Sequence, residues 1–172
     1  MKTNLWSSSA VNGFLLALIT VIFTLVQAAF PMNGTAAAVV VFIVKLSATV
    51  GLLYYFMKSF GQSLEESYTY GQAFTYGFVV SVCSNIVIAC YLWIHYTLIF
   101  PDLIEKSMKT VEQIYTQYNV DPSTIDKVVK YFPVISSVGP LILYTLLSLI
   151  IVAILANFAK KPESPFLAET EE

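Results

Sequence analysis

Residues Ala36–Phe56 read AAAVVVFIVKLSATVGLLYYF, a run in which every residue but Lys45 suits hydrocarbon. A helix needs ~20 mostly apolar residues to cross ~30 Å of bilayer core. This run has the length and the composition, so the chain reads as an integral membrane protein. Three further stretches qualify, and the four predicted spans are residues 9–30, 36–57, 73–100 and 134–159. The first follows Lys2 and ends near Val26-Gln27-Ala28, an arrangement that a signal peptide shares. Its apolar core is too long for that role, and it is read as a retained helix.

The composition agrees with this reading. Hydrophobic residues make up 57% of the 172 and charged residues 12%, against ~45–50% and ~25% in soluble domains. All nine basic residues are lysines and the net charge is -2. The lack of arginine, the side chain best suited to bidentate phosphate binding, argues against nucleic acid as a partner. Cys83 and Cys90 fall seven apart inside one apolar run and read as small buried hydrophobes, because a disulfide within one helix has poor geometry.

Between the spans, Pro31-Met32-Asn33-Gly34 predicts a tight turn that pairs the first two helices. Lys58–Tyr70 reads as a polar loop carrying Glu65-Glu66. Residues 102–132 read as an amphipathic helical hairpin between the third and fourth spans. Ile104, Met108, Val111, Tyr115 and Tyr118 recur at helical spacing, and Asp121-Pro122 predicts a cap followed by a second short helix. The same apolar stripe serves a lid on the bundle, a headgroup-layer helix or a partner-binding face. Residues 1–161 thus form the transmembrane domain, and the acidic, proline-containing residues 162–172 read as a disordered tail.

Membrane helices associate through close packing and polar contacts, because lipid is as apolar as leucine. Ser9, Gly13 and Ala17 stand four apart in the first span, as do Ala73, Gly77, Ser81, Asn85 and Ala89 in the third. Both stripes are expected to face the bundle interior, with contact between them as one arrangement. Asn12 and Asn85 read as interhelical hydrogen-bonding groups.

No catalytic constellation emerges. All eleven carboxylates lie outside the four apolar runs, His95 stands alone among interfacial aromatics, and no metal-ligand spacing or phosphate loop is present. The expectation is a protein with no enzymatic activity, metal or cofactor. Lys45 lies about ten residues into its span, roughly 15 Å deep at the helical rise. With no carboxylate in the spans, two readings stay open. Lys45 is structural, facing a polar interior or water, or it contacts an anion or partner, with Thr49 and Asn85 as the accompanying polar groups.

The segment FMKSFGQSLEESYTYGQAFTYGFVVSVCSNIVIACYLWIHYTLIFPD, from Phe56 to Asp102, resembles a family of small four-helix inner-membrane proteins of Bacteroidetes whose function is unknown. Gly71-Gln72-Ala73-Phe74 with Gly77, and Pro101-Asp102, carry the resemblance, and Lys45 is not part of the pattern. The resemblance implies a protein encoded near membrane-associated glycosyltransferases of the polyprenyl-phosphate type, and from that association the expectation is a scaffold or accessory subunit. The alternative is a small transporter or a lipid- or anion-binding protein built around Lys45 and Asn85. Membrane lipid is an expected partner and homo-oligomerisation stays open. Lys58, Lys160 and Lys161 flank span ends, which favours a multi-pass inner-membrane protein with both termini in the cytoplasm.

Overall fold

The computed structural model describes residues 4–30, 35–64, 67–117 and 122–161. The fold is all-α. Helix α1 spans Leu5–Ala29, α2 Thr35–Gln62, α3 Tyr70–Ile94, α4 Asp102–Gln117 and α5 Pro122–Ala159, and α3 runs on into a π-helical turn at His95–Ile99. Four segments are long and apolar enough to cross a membrane: Leu5–Ala29, Ala36–Gln62, Tyr70–Ile99 and Lys130–Ala159. Among the described residues no strand forms, and the β pairing is confined to an isolated antiparallel bridge between Tyr68 and Lys161.

Local chemistry sets several helix ends. The Asn4 side chain accepts from the Trp6 N–H at 3.1 Å and caps α1. Thr69 and Gln72 form a reciprocal capping box at the start of α3: the Thr69 N–H donates to Gln72 Oε1 at 2.9 Å, and the Gln72 N–H donates to Thr69 Oγ1 at 3.3 Å. Gln72, the core of the Gly-Gln-Ala-Phe motif, therefore has a structural role. Helix α2 runs to Gln62, past the expected end at Met57. Leu53, Phe56, Met57 and Phe60 are all buried at spacings of three, one and three, so Phe60 carries the apolar face through Lys58 and Ser59. The α2–α3 connection is correspondingly shorter than the polar loop read from Lys58 to Tyr70.

The fourth span also differs from expectation. The second connector helix is not separate: α5 is continuous for 38 residues and passes through Pro133 and Pro140. A proline inside a helix removes one backbone donor, and membrane helices tolerate that where the surroundings adjust. No glycine precedes Pro133 to stop the helix. Of the amphipathic stripe, Val111 and Tyr115 are half-buried while Gln113, Ile114 and Gln117 are exposed. The Pro31–Gly34 turn, Glu65-Glu66, the side chains of Ile104 and Met108, Tyr118, the Asp121 cap and the tail from 162 lie outside the described residues.

The chain divides into two compact units, Met1–Val87 with Tyr144–Glu172, and Ile88–Leu143. The first contains parts of all four spans. Its core joins Leu16 of α1, Leu53, Phe56, Met57 and Phe60 of α2, Tyr68, Ala73, Tyr76 and Val80 around α3, and Val152, Ala156 and Ala159 of α5. Lys161 N–H donates to the Tyr68 carbonyl at 2.9 Å, which fastens the end of α5 to the α2–α3 loop. Ser8 near the start of α1 reaches Tyr76 near the start of α3. The first residues of α1, the α2–α3 loop and the last residues of α5 thus share one end of this unit, as four successive crossings require.

Candidate functional site

That shared end holds the richest polar cluster among the described residues. Asn12 Nδ2 donates to the Tyr76 hydroxyl at 2.6 Å, and Ser8 Oγ lies 3.1 Å from the same oxygen. The Tyr76 side chain is fully buried. Its ring stacks on Phe60 with centroids 4.0 Å apart and planes 7° from parallel. Phe60 in turn meets Tyr68 edge-on at 6.1 Å. Three segments are therefore joined by one aromatic cluster centred on Phe60, and α1 is hydrogen-bonded to its α3 member, Tyr76.

Two hydroxyls at this end, Ser9 Oγ and Tyr68 Oη, are buried without a hydrogen-bond partner. Burial pushes the Tyr68 phenol well above its ordinary range, and the neighbouring Tyr76 adds to the shift. The Tyr68 ring lies directly over Gly61, where a Cβ would come within 2.7 Å of Cε1. The cluster is neutral. It can orient helices and offer hydroxyls, and it carries no charged acid or base.

The small-residue stripes occupy different faces. Ser9, Gly13 and Ala17 are buried, and a Cβ at Gly13 would meet Cys83 Cβ at 2.6 Å and the Val80 carbonyl at 2.7 Å. Helix α1 therefore packs on the Val80–Ser84 face of α3. Ala73, Gly77 and Ser81 are also buried, but a Cβ at Gly77 would meet Met57 Sδ at 2.8 Å and Val152 Cγ1 at 3.0 Å. That stripe faces α2 and α5. Both stripes are buried, and of the arrangements open to them the structure has α3 using one face for α1 and another for its two other neighbours. Ser81 Oγ donates to the Gly77 carbonyl at 2.9 Å.

The side chains of Thr49 and Asn85 have separate hydrogen-bond partners. Thr49 Oγ1 donates to the Lys45 backbone carbonyl at 2.8 Å. Asn85 Nδ2 donates to Thr145 Oγ1 at 3.3 Å, joining α3 to α5. Lys45 is half-buried, on the side of α2 that carries Val41, Ala48, Thr49 and Leu52, while Phe42, Ile43, Val44 and Leu46 around it are exposed.

The second unit contains a residue that the sequence reading set aside. His95 opens the π-turn, is only 2% exposed, and its Nδ1 lies 3.0 Å from the Tyr91 hydroxyl. Its ring sits 5.4 Å from Tyr91, 5.2 Å from Tyr96 and 5.0 Å from Phe100. The spacing of four between Tyr91 and His95 was the available signal, since it places both on one face of a helix. Among the described residues no three of His, Cys, Asp and Glu gather as a metal would require. Both cysteines are free; Cys83 lies against Gly13, and Cys90 is exposed.

Comparison with curated proteins and with solved structures gives no match. A family model does match, over residues 12–161, from the Asn12 that holds Tyr76 to the Lys161 that fastens the α2–α3 loop. With most of its length covered, the chain belongs to the family described as protein of unknown function DUF4199.

Proposed function

We propose that this multi-pass membrane protein is a non-catalytic scaffold or accessory subunit for a membrane-associated partner, such as a polyprenyl-phosphate glycosyltransferase, in a bacterial inner membrane. One observation carries the reading. Seven polar side chains of the spans besides Tyr76 and Thr145 are engaged within the fold: Asn12 and Ser8 by Tyr76, Asn85 by Thr145, and Thr24, Thr49, Ser81 and Ser148 by carbonyls one turn earlier. Such groups hold helices together. The membrane-flanking lysines at the shared end, Lys58, Lys160 and Lys161, are exposed and favour the cytoplasm for that end. Helix α4 then supplies the docking element, with Ile114 exposed between polar neighbours.

A second reading, binding of an anion or lipid, rests on Lys45, whose ammonium has no ion pair among the described residues and no carboxylate within the spans. Purification from native membranes in mild detergent separates the two. The expected result is a partner protein in fixed stoichiometry with the wild type and with Lys45→Met, lost from Ile114→Asp. A preparation with no partner, from which an anionic lipid disappears in Lys45→Met, would replace the first reading with the second.

A further inference from the structure

A groove of about 320 Å3 runs between α3 and α5 in the second unit, lined by Ala89, Cys90, Trp93, Ile94, Ser137 and Val138. Its polar member is already engaged, since Ser137 Oγ donates to the Val134 carbonyl at 3.1 Å. All six residues lie within the apolar segments Tyr70–Ile99 and Lys130–Ala159. The surroundings of the groove are therefore hydrocarbon, and what enters it must be apolar at this depth.

What lies above the groove is charged. Lys130 begins the apolar segment of α5 and stands seven residues before Ser137. At 3.6 residues per turn the two share a face, separated by roughly 10 Å along the axis. Lys130 is exposed, with its ammonium 5.6 Å from the Tyr131 ring. Lys127, one turn further out, is exposed as well. Asp126 precedes Lys130 by four residues and leaves this turn of the helix one net positive charge. An apolar slot whose helix carries an exposed lysine, Lys130, on the same face toward the membrane boundary has the polarity of one kind of molecule, an amphiphile with an anionic head.

We propose that this groove binds an anionic phospholipid, with one acyl chain between α3 and α5 and its phosphate at Lys130. The site is independent of Lys45 and of the partner reading. Lys130 supplies the preference for charge, because a lysine at a membrane surface attracts anionic headgroups and has little interaction with a zwitterion. Ala89 supplies the room, because its small side chain leaves space opposite Val138.

The groove contains its own reporter. Trp6 and Trp93 are the two tryptophans of the chain, so the Trp6→Phe protein, full length and in bilayers, leaves Trp93 as the emitting group. Brominated acyl chains quench tryptophan on contact. The expected result is half-maximal quenching by brominated phosphatidylglycerol at a mole fraction about fivefold below that for brominated phosphatidylcholine. Lys130→Gln should bring the two curves together, and Ala89→Leu should lower the quenching reached with either lipid. Coincident curves in the starting protein would make the groove ordinary bilayer contact and overturn the proposal. So would a preference that survives Lys130→Gln, and so would quenching that falls as protein density rises, which would give the groove to a second copy of the chain.

Discussion

Gly13→Leu should separate α1 from α3 and lower the thermal midpoint in detergent by roughly 5–10 °C, the equivalent of about 2–3 kcal/mol. A Cβ at this position lies 2.6 Å from Cys83 Cβ, 2.7 Å from the Val80 carbonyl oxygen and 3.1 Å from the Ser84 nitrogen. Two of these three atoms are backbone, so no rotamer change relieves the contact and the helices must move apart. Asn12 is the next residue, and its hydrogen bond to Tyr76 crosses the same interface. Gly77→Ala is a calibrating comparison. Its new Cβ meets first the Sδ and Cε of Met57, the end of a flexible side chain that can swing aside, and a loss below about 1 kcal/mol is expected. Gly139→Ala meets nothing within 4 Å and should gain about 0.5–1 kcal/mol from helix propensity. Thermal melts of the three variants check the order; a Gly13 variant no worse than Gly77→Ala would show that α1 does not approach α3 at Gly13.

Tyr76→Phe should destabilise the protein and Tyr68→Phe should not, although both remove one buried hydroxyl. Loss of the Tyr76 oxygen leaves the Asn12 amide without its 2.6 Å acceptor. The donor is half-buried and keeps only a 3.5 Å contact to Ser8 Oγ; a fully buried unsatisfied donor costs about 1–3 kcal/mol and membrane hydrogen bonds average lower, so about 1 kcal/mol of destabilisation is expected. The Tyr68 hydroxyl has no partner to lose, so its removal should leave stability unchanged or raise it by up to about 1 kcal/mol. Alkaline pH separates the two roles further. The folded Tyr68 phenol titrates above its unfolded value of about 10. Its stabilising contribution is complete below that unfolded value and falls as pH rises towards the folded one, because the unfolded chain releases the proton first. Wild type should therefore lose stability above pH about 10 more steeply than Tyr68→Phe. Denaturation midpoints at pH 8 and above 10 read both effects; equal slopes for the two proteins would mean Tyr68 is solvated.

The spans were legible because hydrocarbon thickness sets a length that composition must fill, and four segments fill it. Their ends were less so. Lys58 and Ser59 look like a loop until Phe60 is seen stacked on Tyr76, a contact between positions sixteen residues apart that no local pattern contains. Pro133 looks like a boundary, yet α5 continues through it, since a proline removes one bond from a helix already committed on both sides. The spacing of Ser9, Gly13 and Ala17 was visible, whereas the face of α3 that receives them depends on helix rotation, which spacing does not record. Asn12 announced that a buried amide needs a partner; nothing in the order of residues pointed to Tyr76 rather than Asn85. The Thr69–Gln72 capping box was readable from its own spacing and lay hidden inside a motif noted for resemblance. His95 looked solitary because its three ring neighbours are ordinary interfacial aromatics in one dimension.

The beginning of α1, the α2–α3 loop and the end of α5 share one end of their unit, and we propose that this end lies on one side of the membrane and that the Tyr70–Ile99 segment crosses it. Single cysteines in a background with Cys83→Ala and Cys90→Ala test it with a membrane-impermeant maleimide. Asn4, Gln62, Lys161 and Asp102 are all exposed and suit the replacement. In intact cells Asp102→Cys should be labelled at once, whereas Asn4→Cys, Gln62→Cys and Lys161→Cys should be labelled only after permeabilisation. Labelling of Gln62→Cys and Asp102→Cys from the same side would contradict the account, because α3 could not then be a crossing.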